Sequence, residues 1–316
     1  MVTPVTAARP LPTWTALCGA VAIGAMTAVQ ARINGVLGVR LDDGIVAGLV
    51  SFAVGLLVLA VVIPTIPSTR RAAGRLFTGI RTRTIPFWML LGGTCGALTV
   101  STQGLVAGVL GVSLFTVGVV AGQTLHGLLL DRAGFGPAGV VAVTPGRILG
   151  GALALAAVGI SLSGDVLSSA PLPLLLLPFL AGAGIAWQAG ANGRLAKRVA
   201  SPIAATLMSF IAGTAVLFVA ACVSVALRGM PGVLPAEPWL YIGGLLGFFY
   251  ILLGAFLVAH TGVLLMGLGS VLGQLSTSIA IDLAWPTAGR PAVWQLIAMV
   301  VVAFASVVVA LPRRRR

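Results

Sequence analysis

The sequence has 316 residues, of which 59% are apolar and only 8% are charged. Because soluble domains carry about 25% charged residues, this composition excludes a soluble globular protein and predicts an integral membrane protein. The formal net charge of +13 comes from 19 Lys and Arg residues set against six acidic ones. Most of these cations lie in short segments between apolar runs, which favours topology signals and lipid contacts over nucleic-acid binding.

Ten apolar runs of spanning length follow one another along the chain. A membrane helix needs about 20 predominantly apolar residues, whereas a barrel strand needs only about 10 alternating ones, so the run lengths favour helices. The predicted fold is an all-α integral membrane protein with ten transmembrane helices, at residues 14–37, 45–63, 86–107, 112–130, 146–162, 174–195, 203–227, 239–259, 263–283 and 293–311.

The second half of the chain repeats the first. An offset of 158 residues aligns QARING at 30–35 with QAGANG at 188–193, and SFAVG at 51–55 with SFIAG at 209–213. Further along the chain an offset of 151 aligns later glycine and glutamine positions. So many matches in the same order predict an internal duplication rather than chance similarity.

The predicted organisation is a first five-helix repeat at 1–162, a linker at 163–173 and a second five-helix repeat at 174–316. Because each repeat has an odd number of helices, the second repeat enters the membrane from the opposite side. Such an inverted-topology repeat is typical of secondary transporters.

The distribution of cations predicts the orientation. With the N-terminus in the cytoplasm, fifteen of the 19 Lys and Arg residues fall on the inner side, five of them in the arginine-rich loop predicted at 64–84. Cytoplasmic loops carry an excess of Lys and Arg. Both termini are therefore predicted to be cytoplasmic, in a multi-pass protein of the bacterial inner membrane.

Each half carries a Gln and an Asn four residues apart within an apolar run, Gln30 with Asn34 and Gln188 with Asn192. Residues four apart share one face of a helix, and an amide loses hydrogen bonds if it faces lipid. Two interpretations stay open. The amides either hold helices together, each contributing about 0.6–2 kcal/mol, or they line a central cavity and bind substrate.

Further polar residues and paired glycines extend this pattern. Gln123 and Gln274 each directly follow a Gly-x-x-x-Gly pair, a spacing that allows two helix backbones to approach closely. The glycines predicted to pack helices are Gly92, Gly96, Gly118, Gly122, Gly243, Gly247, Gly269 and Gly273. The candidates for a substrate cavity are Gln30, Asn34, Gln188, Asn192, Gln123, Gln274, His126 and Trp187.

Titratable groups are scarce within the predicted spans. Asp131 and Asp282 lie at matched span ends, where contact with headgroups or water is the favoured interpretation. No carboxylate is expected at mid-depth, so we expect transport without a dedicated carboxylate proton site. The sequence has no paired carboxylates, nucleophile motif or metal-ligand spacing, which predicts a protein that is not an enzyme and needs no metal or cofactor.

The motif Q-x-x-x-N-G-x-L, followed by SFxxG, resembles the YdcZ-like branch of the drug/metabolite transporter superfamily. The resemblance covers the chain from about Trp14 to Leu311 and implies a fused pair of five-helix repeats. The chain departs from small multidrug relatives because it lacks a membrane-embedded glutamate near the start of its first helix. This difference argues against a proton-coupled exporter of cationic drugs.

The function predicted is a secondary transporter of a small metabolite or drug-like molecule, with export favoured and alternating access as the mechanism. The alternative is a non-transporting membrane scaffold or a lipid-handling protein. The expected partners are a small-molecule substrate and anionic lipid at the cytoplasmic face, without nucleic acid. A monomer suffices for this architecture, and a homodimer is compatible with it.

Overall fold

The computed structural model describes residues 12–107, 112–142, 144–161 and 172–285, together with 300–301, 304–305 and 307–308. Every regular element within these residues is helical, which confirms the predicted all-helical class. Five stretches are long and apolar enough to cross a membrane: Trp14–Leu41, Gly44–Thr65, Phe87–Ala107, Pro202–Arg228 and Pro238–Ile281. The tenth predicted span, 293–311, lies largely outside the described residues.

The α-helices are numbered in chain order. Two 3-10 turns, Phe87–Leu90 and Pro238–Tyr241, and a π-helical segment, Gln103–Ala107, lie between them. The last numbered helix, α9 (Ile242–Ala284), is interrupted at Gly262, which has a φ of 74°, so residues 242–261 are called α9a and residues 263–284 are called α9b. The helices are α1 (Thr13–Leu41), α2 (Gly44–Thr65), α3 (Pro67–Arg81), α4 (Gly92–Thr102), α5 (Val112–Arg132), α6 (Pro145–Ser161), α7 (Leu172–Val199), α8 (Pro202–Arg228) and α9 (Ile242–Ala284).

The helix α3 corrects the loop predicted at 64–84. It begins at Pro67, a position where proline costs the helix no hydrogen bond. Ala72, Ala73 and Leu76 are buried on one face, while the arginines of α3 are exposed. The prediction was wrong because it relied on the length of apolar runs, and an amphipathic helix is apolar on one face only.

The first two helices of each repeat are joined by the same tight turn. The residue after α1 is Asp42, with φ of 52°, and the residue after α7 is Ala200, with φ of 50°. The next residue in each case caps the following helix: Asp43 accepts two N–H groups of α2, and Ser201 accepts one of α8. The duplication seen in the sequence is therefore also a duplication of local backbone structure.

Contacts between connecting segments show which helix ends lie together. At one end, Arg75 of α3 donates a hydrogen bond of 2.9 Å to the carbonyl of Val199, the last residue of α7. At the other end, Arg40 near the end of α1 lies 3.2 Å from Glu237, after α8. The helices α1 and α7 therefore run in opposite directions. The first end is called the arginine-rich end, since it holds Arg70, Arg71, Arg75, Arg81, Arg83, Arg194, Lys197 and Arg198.

The two repeats interlock through their first helices. The helix α1 packs along α9 of the second repeat, and α7 packs along α4 and α5 of the first. Glycines allow these helices to approach closely: a Cβ on Gly273 would overlap the carbonyl of Val21 in α1, and a Cβ on Gly122 would overlap that of Phe179 in α7. Each repeat is thus held by helices of the other.

The two SFxxG segments meet at the centre of the bundle. The rings of Phe52 and Phe210 lie with their centroids 5.0 Å apart. Each ring occupies the space that the glycine of the other segment leaves open, since a Cβ on Gly55 would overlap Phe210 and a Cβ on Gly213 would overlap Phe52. This reciprocal contact explains why the phenylalanine and the glycine recur together.

Candidate functional site

The Gln and Asn of each first helix lie against paired glycines of the opposite repeat. On α1, Gln30 Nε2 donates a hydrogen bond of 2.8 Å to the carbonyl of Gly243. A Cβ added to Gly243 would lie 2.7 Å from Asn34 Oδ1, and one added to Gly247 would lie 2.7 Å from Gln30 Nε2. The absence of a side chain at Gly243 and Gly247 is therefore what admits the two amides of α1.

The same arrangement recurs on α7. A Cβ on Gly92 would overlap Asn192 Oδ1, and one on Gly96 would lie 2.8 Å from Gln188 Nε2. The hydroxyl of Ser209 donates a hydrogen bond of 2.8 Å to Asn192 Oδ1. Each Gln-x-x-x-Asn motif thus fits the Gly-Gly-x-x-Gly segment of the other repeat, and we call the two sets the amide–glycine contacts.

Seven of the eight glycines predicted to pack helices have a neighbour within 3.0 Å of the position that a Cβ would occupy. For Gly269 this neighbour is Ala20 of α1, at 2.7 Å. The surroundings of Gly118 fall outside the described contacts.

The glutamines that pair at the offset of 151 residues contact each other. Gln274 Nε2 lies 3.2 Å from Gln123 Oε1, and it also donates a bond of 2.8 Å to Ser270 Oγ. Gln123 Nε2 lies 3.4 Å from the same hydroxyl oxygen. All three side chains are buried. They form an uncharged polar network between α5 and α9b, which joins the two repeats.

This network borders a cavity between α1, α5, α7 and α9. The cavity offers about 30 Å³ to the centres of water molecules, which is room for about two or three waters. Its polar lining residues are Thr27, Gln123, Gln188, Asn192, Tyr250 and Ser270, and no Asp, Glu, Lys, Arg or His belongs to its described lining. An environment of this kind donates and accepts hydrogen bonds but supplies no countercharge.

The eight predicted cavity residues are divided among several places. The cavity is lined by Gln123, Gln188 and Asn192. Gln274 does not line it but contacts Gln123, which does. Gln30 and Asn34 are buried in the contact of α1 with α9a and with the π-helical segment. His126 is half-buried on α5, and Trp187 stacks on Phe135 with ring centroids 5.7 Å apart.

Three polar residues of the lining were missed by sequence reasoning. Ser270 precedes Gln274 by one helical turn, so the i, i+4 spacing was an available signal. Thr27 uses its hydroxyl within α1, where it donates to the carbonyl of Ile23 at 2.9 Å. Tyr250 lies in an aromatic and aliphatic run of α9a, which the sequence alone does not distinguish from lipid-facing residues.

A buried ion pair lies at the interruption of α9. Asp131, at the end of α5, is 1% exposed, and its Oδ2 lies 2.8 Å from an Arg147 guanidinium nitrogen of α6. The same carboxylate accepts the first two N–H groups of α9b, at 2.8 and 3.1 Å. Arg147 also lies 3.4 Å from the carbonyl of Thr261 at the end of α9a. The negative charge of Asp131 thus lies at the N-terminus of α9b and the positive charge of Arg147 at the C-terminus of α9a, which is the arrangement that the helix dipole favours.

The position of Asp131 corrects the expectation that it reaches headgroups or water. It is a span-end residue as predicted, but the interruption at Gly262 brings two unpaired backbone N–H groups to it. The side chain of Asp282, its counterpart in the second repeat, lies outside the described residues.

A family model described as "Putative inner membrane exporter, YdcZ" matches this sequence twice, at residues 15–160 and 173–308. The chain belongs to this family. The two matches confirm the resemblance to the YdcZ branch and the fused pair of repeats. The family is of the drug/metabolite transporter type. The match and the apolar helices together show that the chain is a membrane protein of a transporter family.

Comparison with other proteins adds evidence on the fold alone. No curated protein matches the chain. Seven chains of solved structures match it, and one, titled "Crystal structure of protein", superposes with a TM-score of 0.57 at 17% identity. The alignment covers 94% of this YdcZ-family chain and 95% of the other. The fold is therefore shared with a solved structure.

Proposed function

We propose that this YdcZ-family protein exports a small uncharged metabolite by alternating access, as a secondary transporter with ten transmembrane helices in two inverted five-helix repeats. The observation that carries the proposal is the cavity between the repeats, where Gln123, Gln188, Asn192 and Ser270 supply uncharged hydrogen-bonding groups. The family's description as an exporter supports the direction of transport.

The chemistry of the lining supports a substrate without net charge. A charged group inside a membrane protein needs a partner of opposite sign or water. The described lining contains no Lys, Arg, Asp, Glu or His that could be such a partner. The nearby charges of Asp131 and Arg147 neutralise each other. A neutral molecule with carbonyl, amide or hydroxyl groups would instead exchange hydrogen bonds with the amides and hydroxyls of the lining.

The size of the cavity supports a conformational change during transport. The centres of water molecules have about 30 Å³ in this cavity, so a metabolite would bind with the repeats further apart around the site. Rocking of one repeat against the other is the usual mechanism in carriers built from inverted repeats. We place the arginine-rich end and both termini in the cytoplasm, with the protein in the bacterial inner membrane.

A thermal-shift screen of small metabolites against the purified protein tests the substrate class. We expect stabilisation by neutral compounds and none by charged analogues of the same size, for example a carboxamide against the matching carboxylate. A neutral compound that stabilises the protein should then exchange across liposomes containing it without a pH gradient. Stabilisation by the charged analogue alone, or uptake that strictly requires a pH gradient, would contradict the proposal.

The alternative of a scaffold or a lipid-handling protein makes a different prediction in the same experiments. No soluble metabolite would then stabilise the protein, and no exchange would be measured in liposomes.

A further inference from the structure

A cleft runs along the outer side of α9a at the arginine-rich end. Its first section is apolar and encloses about 540 Å³. It lies between α1, α9a and the start of α8, close to α3, and its apolar walls include Met26, Ile203, Phe249, Leu252, Leu253 and Phe256. Phe249 and Phe256 are each more than two-fifths exposed, so the section is open toward the surroundings of the bundle.

The cleft continues into two sections with basic walls. The second section, about 320 Å³, shares Pro202 and Phe256 with the first and adds Ser201, Lys197 and His260. The third section, about 420 Å³, shares Lys197 with the second and is bordered by Arg194 and Arg198. One continuous surface therefore changes from apolar to basic, and we call the three sections together the α9a cleft.

The cations of the cleft have no acidic counterpart in its described lining, since none of the three sections includes Asp or Glu. Arg194 is held by backbone carbonyls, among them that of Phe135 at 2.7 Å. Among the residues that the structure describes, Lys197 makes one long contact, of 3.4 Å, with the carbonyl of Pro137, and Arg198 is exposed. Lys197 and Arg198 thus keep donors and charge for an anion.

The dimensions of the apolar section fit a chain that enters the membrane from the arginine-rich end. From Phe256 to Phe249 the helix rises about 10 Å at 1.5 Å per residue. Half of the hydrocarbon core is about 15 Å thick. The apolar section thus reaches well into one leaflet, while the basic sections remain near its surface.

We propose that the α9a cleft binds one anionic phospholipid, with its phosphate at Lys197 and Arg198 and an acyl chain in the apolar section. A soluble phosphate would leave the apolar section empty, and a lipid without net charge would leave the cations unmatched. Anionic lipid and basic residues near a membrane surface attract each other by about 1 kcal/mol for each Lys or Arg.

The bound lipid would contact the helix that also lines the central cavity. Ala255 of α9a borders both the second section of the cleft and the cavity. The lipid would therefore pack on α9a directly behind the proposed substrate site. The binding itself does not depend on whether the protein transports a metabolite.

Native mass spectrometry of the delipidated protein in detergent tests the site. We expect phosphatidylglycerol to bind more tightly than phosphatidylcholine with the same acyl chains. Lys197→Gln and Arg198→Gln should each weaken phosphatidylglycerol binding about five-fold, which is the fold-change equivalent to about 1 kcal/mol, and should leave phosphatidylcholine binding unchanged. The matched control is Arg228→Gln, an exposed cation at the opposite end, which should change neither.

A second variant tests the apolar section. Ile203→Trp should fill it and weaken the binding of both lipids, with the melting temperature of the variant reporting that it is folded. Inorganic phosphate should not displace the bound lipid. Equal binding of the two lipids, an equal effect of Arg228→Gln, unchanged binding in Ile203→Trp, or displacement by inorganic phosphate would each overturn the proposal.

Discussion

The two copies of the Gln-x-x-x-Asn motif have the same contacts with glycine but different access to the cavity. Gln30 and Asn34 are 2% and 0% exposed, and Gln188 and Asn192 are both 2% exposed. Each pair rests against a Gly-Gly-x-x-Gly segment of the other repeat. Only Gln188 and Asn192, however, also line the cavity. One motif therefore serves packing in both repeats and borders a potential binding site in one of them.

The difference arises from the helix that faces each motif. Asn34 Nδ2 donates a hydrogen bond of 2.7 Å to Gln103 Oε1, and Gln103 is fully buried. At the offset of 151 residues the counterpart of Gln103 is Gly254, which lines the cavity. A side chain fills the space in one repeat, and its absence leaves the space open in the other. A duplicated motif therefore borders a cavity where its partner residue is small.

The comparison requires the two repeats to lie in opposite orientations, and cysteine labelling tests this with an all-or-none result. In a variant without the native cysteines, Ala236→Cys should react with a membrane-impermeant maleimide in intact cells. Thr78→Cys, on α3 at the arginine-rich end, should react only after the cells are opened. Both positions are exposed, so their reactivity reports the side of the membrane. Labelling of both positions from the same side would contradict the opposite orientations of the repeats, and the reverse pattern would place the arginine-rich end outside.

The ion pair of Asp131 and Arg147 joins α5 and α6 to the interruption of α9 at Gly262. Asp131→Asn should lower the free energy of unfolding by about 3–5 kcal/mol, because it leaves the Arg147 charge buried without its partner. Asp43→Asn is a matched control: Asp43 is also buried and caps a helix, but no cation pairs with it in the described residues, and Asn still caps well.

Thermal unfolding in detergent measures both changes. Equal losses in Asp131→Asn and Asp43→Asn would show that the charge of Arg147 adds nothing to the capping of α9b. A normal melting temperature in Asp131→Asn combined with loss of transport would instead assign Asp131 to ion coupling.

The sequence was sufficient to predict the all-helical class, the duplication and the family, because these depend on apolar run length and on residue identity at fixed offsets. It was not sufficient for α3, whose apolar residues lie on one face only. Asp131 was misplaced because its partner, Arg147, lies on another helix and its backbone ligands exist only where α9 breaks. Such partners are set by tertiary contacts between helices.

The cavity was predictable in part. Gln123, Gln188 and Asn192 were identified because polar groups in an apolar helix face the protein interior. The sequence did not distinguish Gln188 from Gln30, since their local contexts match and the distinguishing residue, Gly254 against Gln103, lies on another helix. Tyr250 gave no signal, because its ring is compatible with lipid, a packed core or a cavity.

Substitution of the matched glutamines is expected to have effects of intermediate size. Gln30→Leu removes the bond to the carbonyl of Gly243 and should lower stability by about 0.6–2 kcal/mol, with transport retained. Gln188→Leu should abolish transport of the neutral substrate with a smaller loss of stability. Transport assays in liposomes and thermal unfolding measure the two effects. If both variants lose transport in step with melting temperature, Gln188 serves packing alone.

Gly254→Gln gives the second repeat the side chain that fills the corresponding space in the first repeat. We expect this variant to have the smallest effect on stability. A Cβ on Gly254 has its nearest neighbour, Ile23, at 3.9 Å, so there is room for a side chain at this position. Replacing a glycine within a helix also stabilises the helix by about 0.5–1 kcal/mol, because the unfolded backbone is less flexible. We expect the melting temperature to stay near that of the wild type while transport is lost, because the amide occupies the cavity. Gly254→Ala is the control and should keep most transport, since one methyl group leaves much of the space open. Full transport by Gly254→Gln would show that substrate passes elsewhere and that the open space beside Gln188 is a packing defect.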